Sequence, residues 1–183
     1  MRIILHEGKD DKKYIKKICK ELNIEINDEN FYEMGDKSSF FKEDNINYNL
    51  LRNNPRISKI LFVLDADYEK NDSKYGGYDN CEKEIKKVRR NLKLFDISDH
   101  CITCNPNTKD GYFETLFFSC VPDNLKKCYD DFMECSGFKE KENYKTMMTK
   151  LHELASPNKP YDFNHPNFKD IKDKLIDLFK GIK

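Results

Sequence analysis

In "ILFVLDADYEK" five apolar residues run into Asp65 and Asp67, two carboxylates separated by one alanine, and in "RIILHEG" a shorter apolar run ends on a third, Glu7. Apolar runs of this length read as strands, so each delivers its acid to a sheet edge. Asp65 and Asp67 are two apart and point to one side if strand geometry persists past the tip. Glu7 converges on the same spot if its strand is a neighbour, since adjacent strands lie about 4.8 Å apart. Three carboxylates held together repel one another unless a cation sits between them. Hard oxygen donors of this kind suit Mg²⁺ or Mn²⁺, which keeps several waters and accepts substrate phosphate as a further ligand. Other readings stand beside this one. An Asp at a strand end also forms turns and caps, and "DxD" after an apolar strand recurs in sugar-nucleotide transferases and aspartate-based phosphatases. The transferases usually need a longer chain. The phosphatases place a small residue and then Thr or Val where this chain has Tyr68 and Glu69.

The elements that must position these acids alternate. "RIILH" predicts a strand, and Asp10 or Asp11 caps a helix whose Ile15, Ile18, Cys19 and Leu22 share a face. "NFYEM" predicts a weaker strand ended by Gly35. Ser38 is expected to cap a helix through "FFKEDNINYNLLRNN", stopped by Pro55. "KILFVL" is apolar on both faces, as a central parallel strand is. After Gly76 and Gly77, Cys81, Ile85, Val88, Leu92 and Phe95 mark an amphipathic helix, and "HCITC" a fourth strand. From Gly111 onward the pattern is helical: "YFETLFFSC", a stripe of Leu125, Cys128, Tyr129 and Phe132, then "NYKTMMTKLHELA". The loop "SPNKPYDFNHPN" precedes a last helix with Phe168, Ile171, Leu175 and Leu178 on its apolar face. This predicts an α/β fold, a four-stranded, mostly parallel Rossmann-like sheet flanked by helices, with a helical C-terminal extension.

Composition bounds the partners. Lys plus Arg equals Asp plus Glu at 33 each, so no global charge draws the chain to nucleic acid or membrane. Local stripes remain possible: Lys13, Lys16, Lys17 and Lys20 on the first helix, and Lys83, Lys86, Lys87 and Arg90 on the one after the third strand. They read either as solvated faces or as tracks for a phosphate backbone. A mean hydropathy of −0.86 is offset by 13 Phe and 10 Tyr, enough apolar surface for a core. No apolar run approaches a signal peptide or a membrane span, so a cytoplasmic, membrane-free protein is expected. Seven cysteines without a regular spacing suit a reducing compartment. Cys101 and Cys104 have metal-ligand spacing, but on a strand they face opposite ways and read as buried thiols.

"ILHEGKDD" and "FVLDADYE", in this order and at this separation, resemble the two signatures of the Toprim domain, the topoisomerase and primase module also found in small nucleases. "CNPNTKDGYFETLFF" resembles the loop and "G-x-L-E-x-L" segment of stand-alone Toprim-like bacterial proteins. The resemblance covers about residues 1 to 119. It implies a Toprim-like core at 1–119, with 120–183 a helical extension packed on it, and a Mg²⁺-dependent nuclease acting on DNA or RNA. Glu7, Asp65 and Asp67 would then carry one or two metal ions, with Glu7 the proton-transfer group and Glu69 completing a "DxDxE" set. Glu114 would support the metal shell or cap its helix. Gly8 would let the backbone turn beside the metal. Lys9 and Lys37 would steady phosphate charge, against the reading of solvated surface lysines. Asp11 reads as a cap and His6 as packing. The absence of a Gly after Glu69, and of a domain to carry a strand-passing tyrosine, argues against topoisomerase activity. Toprim nucleases resembling this chain often act beside an ATPase, and no Walker-type Gly-Lys motif occurs here. A noncatalytic subunit working through such a partner is the rival. On these readings Asp67→Asn should leave the metal-free protein as stable as before, or slightly more so.

Overall fold

Four apolar runs become the strands of one sheet: β1 (Arg2–His6), β2 (Phe31–Glu33), β3 (Lys59–Asp65) and β4 (Ser98–Thr103). A computed structural model describes residues 1–138, 144–156 and 161–180 of the chain. The strand order is β2-β1-β3-β4, and every pairing is parallel. The fold is thus α/β and Rossmann-like, its sheet wholly rather than mostly parallel. From β1 the chain moves one way to β2, then returns past β1 to β3 and continues to β4. The direction of winding therefore reverses between β1 and β3. In open parallel sheets that reversal leaves a crevice at the carboxyl ends of the two strands.

Side-chain alternation along the strands feeds two cores. Ile4, Leu61, Val63 and Cys101 face α1 (Lys9–Glu21), α5 (Phe113–Ser119) and α8 (Lys169–Lys180). Ile3, Leu5, Ile60, Phe62, Leu64 and Ile102 face α2 (Lys37–Phe40), α3 (Ile46–Arg52) and α4 (Tyr78–Asn91). Cys101 and Cys104 fall into opposite cores, both buried, as strand alternation requires. Ile171, Leu175 and Leu178 of α8 are packed out of solvent in the first core.

Several local expectations need correction. The helix expected from Ser38 to Pro55 is two helices. Asp36, not Ser38, caps α2, accepting from the Ser39 N–H, and Asn45 caps α3. The Asp36 carboxylate, two residues before Ser38, starts the helix earlier, and the Ser38 hydroxyl donates to Asp36 instead of capping. Gly8 rather than Asp10 or Asp11 occupies the N-cap of α1, while Asp11 reaches back to accept from the Gly8 N–H at 2.9 Å. Phe95 lies beyond α4 and is exposed. On α6 (Asp123–Ser136) Tyr129 and Met133 are buried, while Cys128 and Phe132 are exposed. α7 (Tyr144–Ala155) buries Thr149 and His152. Asn143, and residues 157–160 of the expected Pro- and Asn-rich loop, lie outside the described residues. No described helix is long and apolar enough to cross a membrane.

Candidate functional site

β1 and β3 are direct neighbours, so Glu7 and Asp65 meet at the switch-point crevice. The Asp65 backbone N–H donates to Glu7 Oε1 at 2.8 Å. Asp65 Oδ1 accepts from Thr103 Oγ1 at 2.5 Å and from the Phe113 N–H at the start of α5 at 2.9 Å. Glu114, next in that helix, is buried, and Tyr14 donates to its Oε1 at 3.4 Å. Burial pushes the Glu7 carboxyl from its ordinary 4.5 up to about 8, with the nearby negative charges of Asp11 and Asp67 adding to the effect. Burial raises Asp11 to about 6, with Glu114 contributing. Asp65 is driven well above the ordinary range by burial, then by Asp11 and Glu7. The four carboxyls of Glu7, Asp11, Asp65 and Glu114 thus feel one another. Asp11, expected only as a cap, belongs to the group. The sequence signal was its place one helical turn into α1, which starts directly after Glu7.

Asp67 departs from expectation. β3 ends at Asp65, and Asp67 takes a left-handed φ of 56°. Strand alternation therefore does not govern where its carboxylate points. Its backbone forms a two-way bridge with Gly111, the Asp67 N–H donating to the Gly111 carbonyl at 2.7 Å and the Asp67 carbonyl accepting from the Gly111 N–H at 2.8 Å. Its Oδ2 lies 2.7 Å from Lys37 Nζ. Lys37 is no solvated lysine: it is 7% exposed and also donates to the Ala66 and Tyr75 carbonyls at 2.9 and 3.1 Å. Its buried charge is held by Asp67 on one side and two backbone dipoles on the other. Lys9 is exposed at the first position of α1, and Gly8 begins the turn beside Glu7. Glu69 is exposed on the turn after Tyr68, where its N–H approaches Asp110 Oδ1 at 3.4 Å. His6 is buried edge-on against Phe31, its Nδ1 hydrogen-bonded with the Gly8 carbonyl, as a packing residue.

The lysine stripes are only partly open. Lys16 pairs with Asp28 and Lys17 lies over the Tyr161 ring. Lys86 pairs with Glu82, Lys87 lies 3.8 Å from Glu84, and Arg90 covers Phe95.

A family model described as a protein of unknown function, DUF3226, matches residues 1–175. The chain belongs to DUF3226. No curated protein and no solved structure matches it. The DUF3226 match spans the α/β sheet and the first half of α8, elements that build and back the acidic crevice.

The donor chemistry of the crevice suits a divalent cation, since Glu7, Asp11, Asp65 and Glu114 are hard carboxyls and burial, with the charges of neighbouring acids, holds the first three above their ordinary range. Among the described residues, however, no three His, Cys, Asp or Glu side chains are grouped closely enough to hold an ion. Two bonds to Asp65 Oδ1 and one from Lys37 to Asp67 hold these oxygens on protein donors instead.

Proposed function

We propose that this DUF3226 chain carries out Mg²⁺- or Mn²⁺-dependent phosphodiester hydrolysis on nucleic acid, as a Toprim-type nuclease. What carries the reading is the convergence of Glu7, Asp11, Asp65 and Glu114 at the switch point, with three of the carboxyls raised by burial and by one another. Glu7, Asp65 and Glu114, with Asp67 beside them, would have to draw closer than they now lie to hold the cation, which when bound would polarise a phosphodiester and activate water. Asp65 is oriented by Thr103 and by the first N–H of α5. Glu7 holds a proton near neutral pH in the metal-free protein and has one oxygen committed to the Asp65 N–H, which fits it to proton transfer. Lys37 sets the position of Asp67 rather than meeting phosphate. Lys9, exposed beside the crevice, is the candidate phosphate contact. The expected residence is cytoplasmic.

A second reading is favoured by the oxygens of Asp65 and Asp67 that are taken up by protein donors: a noncatalytic nucleic-acid-binding subunit acting through a partner protein such as an ATPase. One experiment separates the two. The full chain is incubated with labelled single-stranded and duplex DNA and RNA in Mg²⁺, Mn²⁺ or chelator, alongside Asp65→Asn. Metal-dependent cleavage lost in Asp65→Asn supports the nuclease. A metal-induced rise in melting temperature without cleavage supports the binding subunit. Neither cleavage nor a metal response rejects the cation site.

A further inference from the structure

Two aromatic rings flank the acidic crevice, and the core does not claim them. Tyr68 follows Asp67. Tyr112 lies between Gly111, which is bridged to Asp67, and Phe113, whose N–H holds Asp65. The two rings meet edge to face with centroids 5.4 Å apart. Both side chains are only partly buried. A cation lies over each: Lys145 Nζ is 3.4 Å from the Tyr112 centroid and Lys70 Nζ is 5.3 Å from that of Tyr68. The Tyr112 hydroxyl accepts a long contact, 3.5 Å, from the Tyr144 hydroxyl. Tyr48 shows what a packing tyrosine looks like in this chain: fully buried, with its hydroxyl donating at 2.6 Å to the Phe40 carbonyl.

We propose that Tyr68 and Tyr112 form a stacking platform for an unpaired base of a single-stranded nucleic acid, with Lys70 and Lys145 moving from the rings to the flanking phosphates. The inference rests on the nucleic-acid reading of the crevice and narrows it, from any duplex or single strand to a strand with accessible bases. Every base has a π-face, so aromatic platforms bind single strands with little regard to sequence, and ammonium groups already at the ring faces supply the charge that the backbone needs. A duplex hides its base faces in the stack, and its phosphates alone would engage only the lysines. The platform is joined to the acids by the Phe113 N–H on the Asp65 carboxylate and by the backbone pair of Asp67 with Gly111, so a base seated on it brings its own phosphodiester toward the crevice.

The test uses the full chain in chelator, where nothing is cut. Fluorescence anisotropy compares labelled oligothymidylate, oligouridylate, a duplex of the same length, and the same phosphodiester chain without bases. The single strands should bind more tightly than both the duplex and the abasic chain; either sugar satisfies the proposal. Tyr112→Leu and Tyr68→Leu keep apolar bulk, and each should weaken single-strand binding by about 5- to 100-fold. Each should leave abasic-chain binding unchanged, while Tyr112→Phe should restore single-strand affinity. The chain has no tryptophan, so its intrinsic emission comes from tyrosine and should be quenched by oligothymidylate but not by the abasic chain. Equal affinity with and without bases, no binding at all, or leucine variants that bind as wild type would overturn the platform. Base-selective binding without metal-dependent cleavage would leave the platform standing and remove the nuclease. Metal-dependent cleavage without base selectivity would do the reverse.

Discussion

Lys37 is nearly buried, and among the described residues its ammonium pairs with one anion, Asp67, and two carbonyls. Removing that anion leaves a buried cation short of charge. Breaking a fully buried pair costs about 3–5 kcal/mol. Because Asp67 is about a third exposed and the carbonyls remain, a loss of about 1–3 kcal/mol is expected for Asp67→Asn. Urea unfolding should show it, and a double-mutant cycle with Lys37→Met should recover part of it. An unchanged midpoint would return Asp67 to the role of a free ligand. Glu7 makes the opposite case. Its carboxyl titrates at about 8 in the folded chain and ordinarily at 4.5. Between those values the folded state keeps a proton that the unfolded state has released, so stability is whole below about 4.5 and is lost as the pH rises toward 8. Asp11 adds the same sign between 3.8 and about 6. In metal-free buffer, wild type should therefore melt at lower temperature as the pH climbs across this window. Glu7→Gln keeps an acceptor for the Asp65 N–H and should show a shallower decline, becoming the more stable of the two above about 8. Parallel melting curves for the two proteins would refute the raised carboxyl.

At the scale of elements, the turn from β4 into α5 carries the site. Gly111 has a φ of 102°, and a Cβ there would lie 2.4 Å from Thr115 Oγ1. Thr115 cannot easily yield, because its hydroxyl accepts from the Tyr112 N–H at 2.8 Å and donates to the Tyr112 carbonyl at 2.7 Å. Gly111→Ala therefore meets both a strained backbone and a fixed neighbour, and should lower stability by at least about 1–3 kcal/mol. It should also loosen the Asp67 bridge, visible as faster amide exchange at Asp67 and Gly111; unaltered exchange would mean that the bridge does not depend on this glycine. The lysine-rich faces of α1 and α4 behave differently. Asp28 offsets Lys16 on α1, Glu82 and Glu84 offset Lys86 and Lys87 on α4, and ring contacts hold Lys17 and Arg90 against the protein. Reversal of Lys83 and Arg90 should consequently change any nucleic-acid binding and its salt slope less than loss of the tyrosine platform does.

For the whole molecule, α8 is structural. It closes one face of the sheet, with Ile171, Leu175 and Leu178 against strand residues Ile4, Leu61 and Val63. Deleting residues 120–183 exposes that face and should yield an insoluble or molten chain; cooperative unfolding of a monomeric truncation would show that the extension is separable. Leu175→Ala in the full chain should cost about 2–5 kcal/mol, since Leu175 is fully buried.

The sequence by itself determined the period of each segment and the residues at its ends. Alternating apolar runs dictated strands, three- and four-residue spacings dictated helices, and acids at the tips of "RIILHE" and "ILFVLD" had to emerge at a sheet edge. Those features are local, carried by backbone geometry and by the face each side chain must bury. Adjacency is not local. That β1 lies beside β3, which brings Glu7 to the Asp65 backbone, follows from packing two helical layers on one sheet. The same holds for Lys37, whose carbonyl partners are 29 and 38 residues away in sequence. It read as a surface lysine because nothing within a turn of it supplies those dipoles. Asp67 was legible as an acid after a strand, but not its left-handed backbone, which the bridge to Gly111 fixes from 44 residues along the chain. Asp11 was legible as a cap and entered the acidic group only when α1 settled against α5. Residue types were therefore set by sequence, whereas their mutual distances, and with them the raised carboxyls of the crevice, were decided by the tertiary structure, because only burial and neighbours from distant segments change a group's charge.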